Sequence, residues 1–144
     1  MNRHALSFST FTFLQTKNKS GRNITIAIFA EDRTCITQFE LAEMFEKDDS
    51  ARDYGSAFQW YLQSAKQGYR RAQHRLGSMY ARGTGVTQNY VKAYAWCKVS
   101  ASQHSRRALL KLKKIERHMS AGQIAAARKL SRQYYETYIA AVTH

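Results

Sequence analysis

The sequence predicts an all-α fold, a short right-handed α-α superhelix, and three observations predict it. The stretch Ala72–Ser102 reads as two amphipathic helices joined by a glycine turn. Its pattern recurs: Tyr90, Ala93, Trp96, Ser100 and Ala101 repeat 36 positions earlier as Tyr54, Ala57, Trp60, Ser64 and Ala65. Proline is absent from all 144 residues, so no helix interior loses a backbone donor. A helix pair repeated every ~20–50 residues cannot bury its apolar face alone, and stacking on its neighbours buries it.

In the best-preserved pair, Ala72, Leu76, Met79 and Tyr80 fall on one face at helical spacing. Gly77 interrupts that stripe at a cost of about 1 kcal/mol of helix propensity relative to Ala, which predicts close approach of another helix there. Gly83-Thr84-Gly85 ends the helix, because glycine takes the left-handed conformation that a C-terminus requires. Asn89 caps the next helix, on which Tyr90, Ala93, Tyr94, Trp96 and Ala101 are the packing positions. With one residue less in the turn, Leu76, Met79 and Tyr80 fall on Leu41, Met44 and Phe45. Moving forward 36 positions, Ala72, Arg75 and Leu76 reach Ala108, Lys111 and Leu112.

The residues that carry the repeat also carry a resemblance. Ala72, Leu76-Gly77, Met79-Tyr80, Gly83-x-Gly85-Val86, Tyr90, Lys92-Ala93, Trp96 and Ala101 resemble the consensus of the Sel-one-like repeat, a relative of the tetratricopeptide repeat. The match is close over residues 72–102 and degraded over about 37–67, where Asp48-Asp49-Ser50-Ala51 replaces the glycine turn. Met119-Ser120-Ala121-Gly122-Gln123-Ile124 resembles a segment that closes bacterial proteins of this family. The resemblance implies an α-solenoid that acts as a protein–protein adaptor. Its cysteine-rich secreted members bridge each repeat, and Cys35 and Cys97 lack that pairing distance, so reduced thiols and a cytoplasmic location are expected.

Taken in order, the chain divides into an N-terminal extension (residues 1–36), a repeat region (37–118) and a C-terminal capping helix (119–144). Residues 1–23 lack the apolar core of a secretory signal. A flexible tail, a start read upstream of the natural one, and an organellar transit peptide are the open readings. Asn23–Phe29 alternates like a strand, and a lone strand has no sheet to join in a solenoid. The first hairpin spans roughly Thr37–Lys47 and Tyr54–Gln67. Asp48, Asp49 and Asp53 cluster at its turn, as helix caps or as part of a metal site, although the EF-hand spacing is absent. The second hairpin spans about Arg70–Arg82 and Asn89–Ser102, and a third helix Ser105–His118. Ser120 caps a last helix that buries Ile124, Ala127, Leu130, Tyr134 and Tyr138.

The net charge of +13 is unevenly spread. Residues 31–65 carry eight acids against three bases, and residues 66–144 carry sixteen bases against two acids. Such asymmetry implies an acidic partner or self-association. Arg71, Arg75, Ser78 and Arg82 form a stripe at i, i+4, i+7 and i+11, and 36 positions on the stripe becomes Arg107, Lys111, Lys114 and His118. Glu40 and Glu43 stand where Arg75 and Ser78 would in the first unit. By the tetratricopeptide resemblance, first helices line a concave surface and these pairs grip an acidic ligand, although the asparagines of the related carboxylate clamp have no counterpart. Three readings of the stripe are open: a solvated face, a groove for an acidic protein or peptide, and a nucleic-acid surface.

Catalytic chemistry has no visible footing. The five histidines show no ligand spacing among themselves or with the cysteines. Gly83-Thr84-Gly85 follows a helix rather than a strand, unlike a phosphate loop. No run approaches the ~20 apolar residues of a membrane span. The expectation is a non-enzymatic adaptor with no cofactor and no metal, whose partner-binding residues are Arg71, His74, Arg75, Ser78, Arg82, Arg107, Lys111 and Lys114. Nucleic-acid binding by the basic C-terminal half is the alternative.

Overall fold

The computed structural model describes the backbone of residues 4–8, 11–17 and 23–29, and residues 34–48 and 52–141 in full. From Cys35 onward the chain is an all-α helical-repeat solenoid. Each first and second helix of the repeats except α3 begins at a side-chain cap. Helix α1 (Cys35–Lys47) starts at Thr34, whose hydroxyl accepts from the Thr37 N–H. Helix α2 (Tyr54–Lys66) starts at Asp53, whose carboxylate accepts from the Ser56 N–H at 3.0 Å and its hydroxyl at 2.8 Å. Asp53 is thus a cap, while Asp49 of the same cluster lies outside the described residues. Helix α3 (Arg70–Arg82) ends at Gly83, in the left-handed region at φ 70°, with its N–H on the Met79 carbonyl. Asn89 caps α4 (Tyr90–Ser102) and Ser105 caps α5 (Arg106–Glu116). Ser120 and Gln123 form a reciprocal capping box for α6 (Ala121–Tyr135), which runs on as a π-helical turn, Glu136–Ala140.

The expectation of a lone strand at 23–29 is corrected. Strands β1 (His4–Phe8), β2 (Phe11–Lys17) and β3 (Asn23–Phe29) form a three-stranded antiparallel sheet in the order β1-β2-β3. Phe8 pairs with Phe11, and Lys17 with Asn23. The backbone donors and acceptors of β3 therefore have a partner strand, which a period-2 pattern alone does not reveal.

Two repeat units stack through a polar device as well as an apolar one. Ser64 on α2 donates to the Cys35 carbonyl (2.5 Å), and Ser100 on α4 donates to the Arg70 carbonyl (2.8 Å). Each bond ties a second helix to the start of its own first helix. Gln67 donates its amide to Gln38 (2.5 Å), and Gln103 donates to Gln73 (2.7 Å). Gln73 in turn donates to the Ala65 carbonyl of the preceding unit at 3.1 Å. A buried polar group left unpaired costs about 1–3 kcal/mol, so these residues recur as matched sets. Among the described residues no buried side-chain donor or acceptor lacks a partner.

The apolar core follows the expected stripe: Leu41, Phe45, Ala57, Ala72, Leu76, Met79, Tyr80, Ala93, Tyr94, Trp96 and Leu112 are buried. Gly77 does what its position demands, since a Cβ there would collide with the Cys97 sulfur and stand 3.2 Å from the Ala93 carbonyl. Helix α4 is buried almost all round because α3, α5 and α6 enclose it. Helix α6 packs on α4, setting Tyr134 tilted against Trp96 with ring centroids at 4.5 Å, and Tyr138 of the π-helical turn stacks on the same ring at 5.6 Å. The predicted α6 stripe is partly corrected: Ala127 is buried, but Ser131 and Ile139 take the other buried places, and Ile124 and Leu130 are half-buried. The stripe shifts because α6 packs against α4 and scarcely touches α5.

Candidate functional site

The first helices of the units, α1, α3 and α5, border a groove of about 520 Å³. Phe39 and Glu43 contribute from α1, Arg70, Arg71, His74 and Arg75 from α3, and Arg106 and Arg107 from the first turn of α5, with His104 and Ser105 at its mouth. Helical spacing explains the convergence. Arg71, His74 and Arg75 sit at i, i+3 and i+4, flanking the buried Ala72, Gln73 and Leu76. Arg106 and Arg107 repeat Arg70 and Arg71 after 36 positions, on the next helix of the same layer.

These cations are not equivalent. The Arg71 guanidinium lies over the Phe39 ring at 4.6 Å from the centroid and reaches the Tyr69 hydroxyl at 3.5 Å. Phe39 is itself braced by Tyr61 and Tyr69, both at 5.3 Å. Arg70 donates to the Gln103 carbonyl at 3.1 Å. Arg75 is partnered by the first unit's acids, Glu46 at 3.5 Å and Glu43 at 3.9 Å. Glu46 also accepts from the Tyr61 hydroxyl at 2.6 Å, and burial together with that bond pushes the Tyr61 hydroxyl's pKa far above its usual value. Part of the acidic-to-basic gradient is therefore closed within the chain. Arg106 and Arg107 have no acceptor among the described residues.

Burial holds the His74 imidazole below its usual pKa, and Lys111, Arg75 and Arg107 push it further down. It is neutral near pH 7 and can donate and accept. Lys111 is also lowered, by burial and then by Arg82 and Lys114. Burial raises the Cys97 thiol to about 12, which leaves it a packing residue rather than a nucleophile.

The structure thus brings together four of the eight expected residues, Arg71, His74, Arg75 and Arg107. Ser78 and Arg82 line a neighbouring hollow of about 120 Å³ with Glu46, Tyr54, Arg75, Met79 and Thr84, so Arg75 borders both. Lys111 lies within electrostatic reach of both His74 and Arg82. Lys114 is exposed and lines neither hollow. His118 leaves the stripe, because α5 ends at Glu116 and the ring stacks on Tyr90 at 5.2 Å. Phe39, Glu43, Arg70, His104, Ser105 and Arg106 are the additions, Arg70 and Arg106 being the new cations. The signal for two of them was the Arg-Arg pair that opens both α3 and α5, 36 positions apart.

The chain matches the Sel1 repeat family twice, over residues 36–69 and 70–105. It belongs to the Sel1-like repeat proteins. Among solved structures it is similar to a protective antigen with an SLR fold present in uropathogenic Escherichia coli strains. That likeness has a TM-score of 0.73 and 30% identity, over 78% of this chain and 25% of that one. A Sel1 repeat protein from Oxalobacter formigenes is similar at 35% identity and a TM-score of 0.55, over 57% of this chain and 24% of that one. The chitin synthase regulator SKT5 of Saccharomyces cerevisiae is 38% identical over 69 residues, 48% of this chain and 9% of that protein. The chain spans a quarter or less of the length of each. Family membership marks a protein-interaction scaffold of a generally non-enzymatic kind. These relatives lend no support to the nucleic-acid alternative. No helix among the described residues is long and apolar enough to cross a membrane.

Proposed function

We propose that this protein is an interaction module without catalytic activity, working in the cytoplasm, that holds an acidic protein or peptide in the groove bordered by α1, α3 and α5. The observation that carries the reading is the convergence of five arginines, from two consecutive repeat units, on one concavity with a single carboxylate, Glu43. A segment laid along the groove meets Arg71 pre-oriented on Phe39, and Arg106 and Arg107, which have no acceptor among the described residues, so guanidinium–carboxylate bonds form with little ordering cost. The regulator from yeast is named for action on another protein, which suits an adaptor role here. The free thiols of Cys35 and Cys97 suit a reducing compartment.

The test is a pull-down from native extract after nuclease treatment, comparing the natural protein with Arg71→Glu/Arg107→Glu. A discrete protein, bound by the natural chain and lost in the variant, is the expected result. A partner that survives the variant moves the interaction off this groove, and material that disappears with nuclease overturns the reading.

A further inference from the structure

Two of the three helices that border the groove begin against their own electrostatics. A helix N-terminus carries partial positive charge and favours acids in its first turn. Helices α3 and α5 have no acid there and instead start with Arg70-Arg71 and Arg106-Arg107. With Arg75, five guanidinium groups and two positive helix ends are thus gathered around about 520 Å³, with Glu43 as the one acid in the lining. In α5, Ser105 satisfies the Ala108 N–H with its side chain and the Leu109 N–H with its carbonyl. The N–H groups of Arg106 and Arg107 have no acceptor within the helix. The groove therefore has forked side-chain donors beside a helix start whose first backbone N–H groups are free of intrahelical acceptors.

We propose that the groove recognises a phosphate monoester, so that the partner segment carries a phosphorylated serine or threonine; this rests on the acidic-peptide reading of the groove. A carboxylate offers two oxygens and one charge. A phosphoryl group offers three acceptor oxygens and nearly two charges, which matches several arginines plus a helix N-terminus. Arg71 is held over Phe39, Arg70 is tethered to the Gln103 carbonyl, and Arg106 and Arg107, which have no acceptor among the described residues, line the same groove. His74, whose pKa is lowered by burial and then by Lys111, Arg75 and Arg107, can donate one further bond and is protonated more readily once the dianion offsets the field of those cations.

The experiment uses the full chain and three degenerate peptide libraries that differ only in a fixed central phosphoserine, glutamate or serine. Binding is followed by fluorescence anisotropy at physiological salt. The phosphoserine library is expected to bind about tenfold more tightly than the glutamate library. Arg71→Gln/Arg107→Gln removes that preference, whereas Lys66→Gln/Lys129→Gln, of equal charge but away from the groove, keeps it. Far-ultraviolet circular dichroism and urea midpoints establish that both variants fold. Inorganic phosphate is expected to raise the His74 imidazole pKa, read by NMR, where acetate at equal ionic strength does not. Equal affinity for the phosphoserine and glutamate libraries overturns the phosphate inference and leaves the acidic groove standing. Binding of neither overturns both. Tighter binding of a single-stranded oligonucleotide of matched charge assigns the site to a nucleic-acid backbone and overturns the proposal.

Discussion

Trp60 and Trp96 occupy the same position of successive repeats, yet only one is a core residue. Trp96 is 2% exposed beneath Tyr134 and Tyr138, whereas Trp60 on α2 is half-buried. The same holds one helix earlier. Met79 is 5% exposed and Met44, its counterpart on α1, is 56% exposed. The internal bonds of the two units are alike, as the Ser64/Ser100 and Gln67/Gln103 pairs show. What differs is the neighbours. Met79 packs between its own helix and the preceding unit, with its methyl group beside Gly85 near Tyr54, and no earlier helical unit precedes α1 among the described residues. A repeat consensus therefore specifies a position's role inside a unit, while its energetic weight depends on which unit stands beside it.

Four measurements break or sharpen this comparison. Trp96→Ala is expected to cost about 3–5 kcal/mol of stability in urea titration, against roughly 1 kcal/mol for Trp60→Ala, whose ring keeps part of its surface in water. Equal losses would mean that something covers Trp60. Met79→Ala should cost about 2–4 kcal/mol, whereas Met44→Ala should stay within about 0.5 kcal/mol, as surface changes do. Next comes the close approach at Gly77, where the first unit has Ala42 at the equivalent place. Gly77→Ala is expected to lose about 1–2 kcal/mol, because overpacking against Cys97 exceeds the gain in helix propensity. Adding Cys97→Ala should recover most of it, and no recovery would point to the Ala93 carbonyl as the obstacle.

The smallest effect is a pH dependence. His74 has a folded pKa below its usual 6.5, so between those two values the unfolded chain binds more protons than the native one. Stability is then complete above pH 6.5 and falls as the pH drops through that window. His74→Gln should flatten the fall in urea midpoints below pH 6.5. Phe39 stands at the equivalent position of the first unit, so that unit has no such titration to lose.

The fold was legible because its signals are local and repeated. Helical spacing of apolar residues, the Asn89 and Ser120 caps, and the glycines that close α3 each act within a few residues, and the 36-residue period turns one hairpin into a stack. The site was half legible. Arg71, His74, Arg75 and Arg107 follow from the stripe, but Ser78 and Arg82 fall away into a second hollow and His118 leaves the helix. A stripe drawn on an isolated helix does not register where the neighbouring helix ends. Arg75 illustrates the same limit, since its pairing with Glu43 and Glu46 joins residues of different units.

By itself, then, the sequence determined the helices, their pairing and the basic character of the first-helix layer, because propensity, capping and periodicity are properties of nearby residues. Only the tertiary structure decided which like residues are buried, which cations are neutralised and which are left facing the groove. Burial and electrostatics are set by what lies across a contact, and for Trp96, Met79 and Arg75 that partner comes from another helix far along the chain.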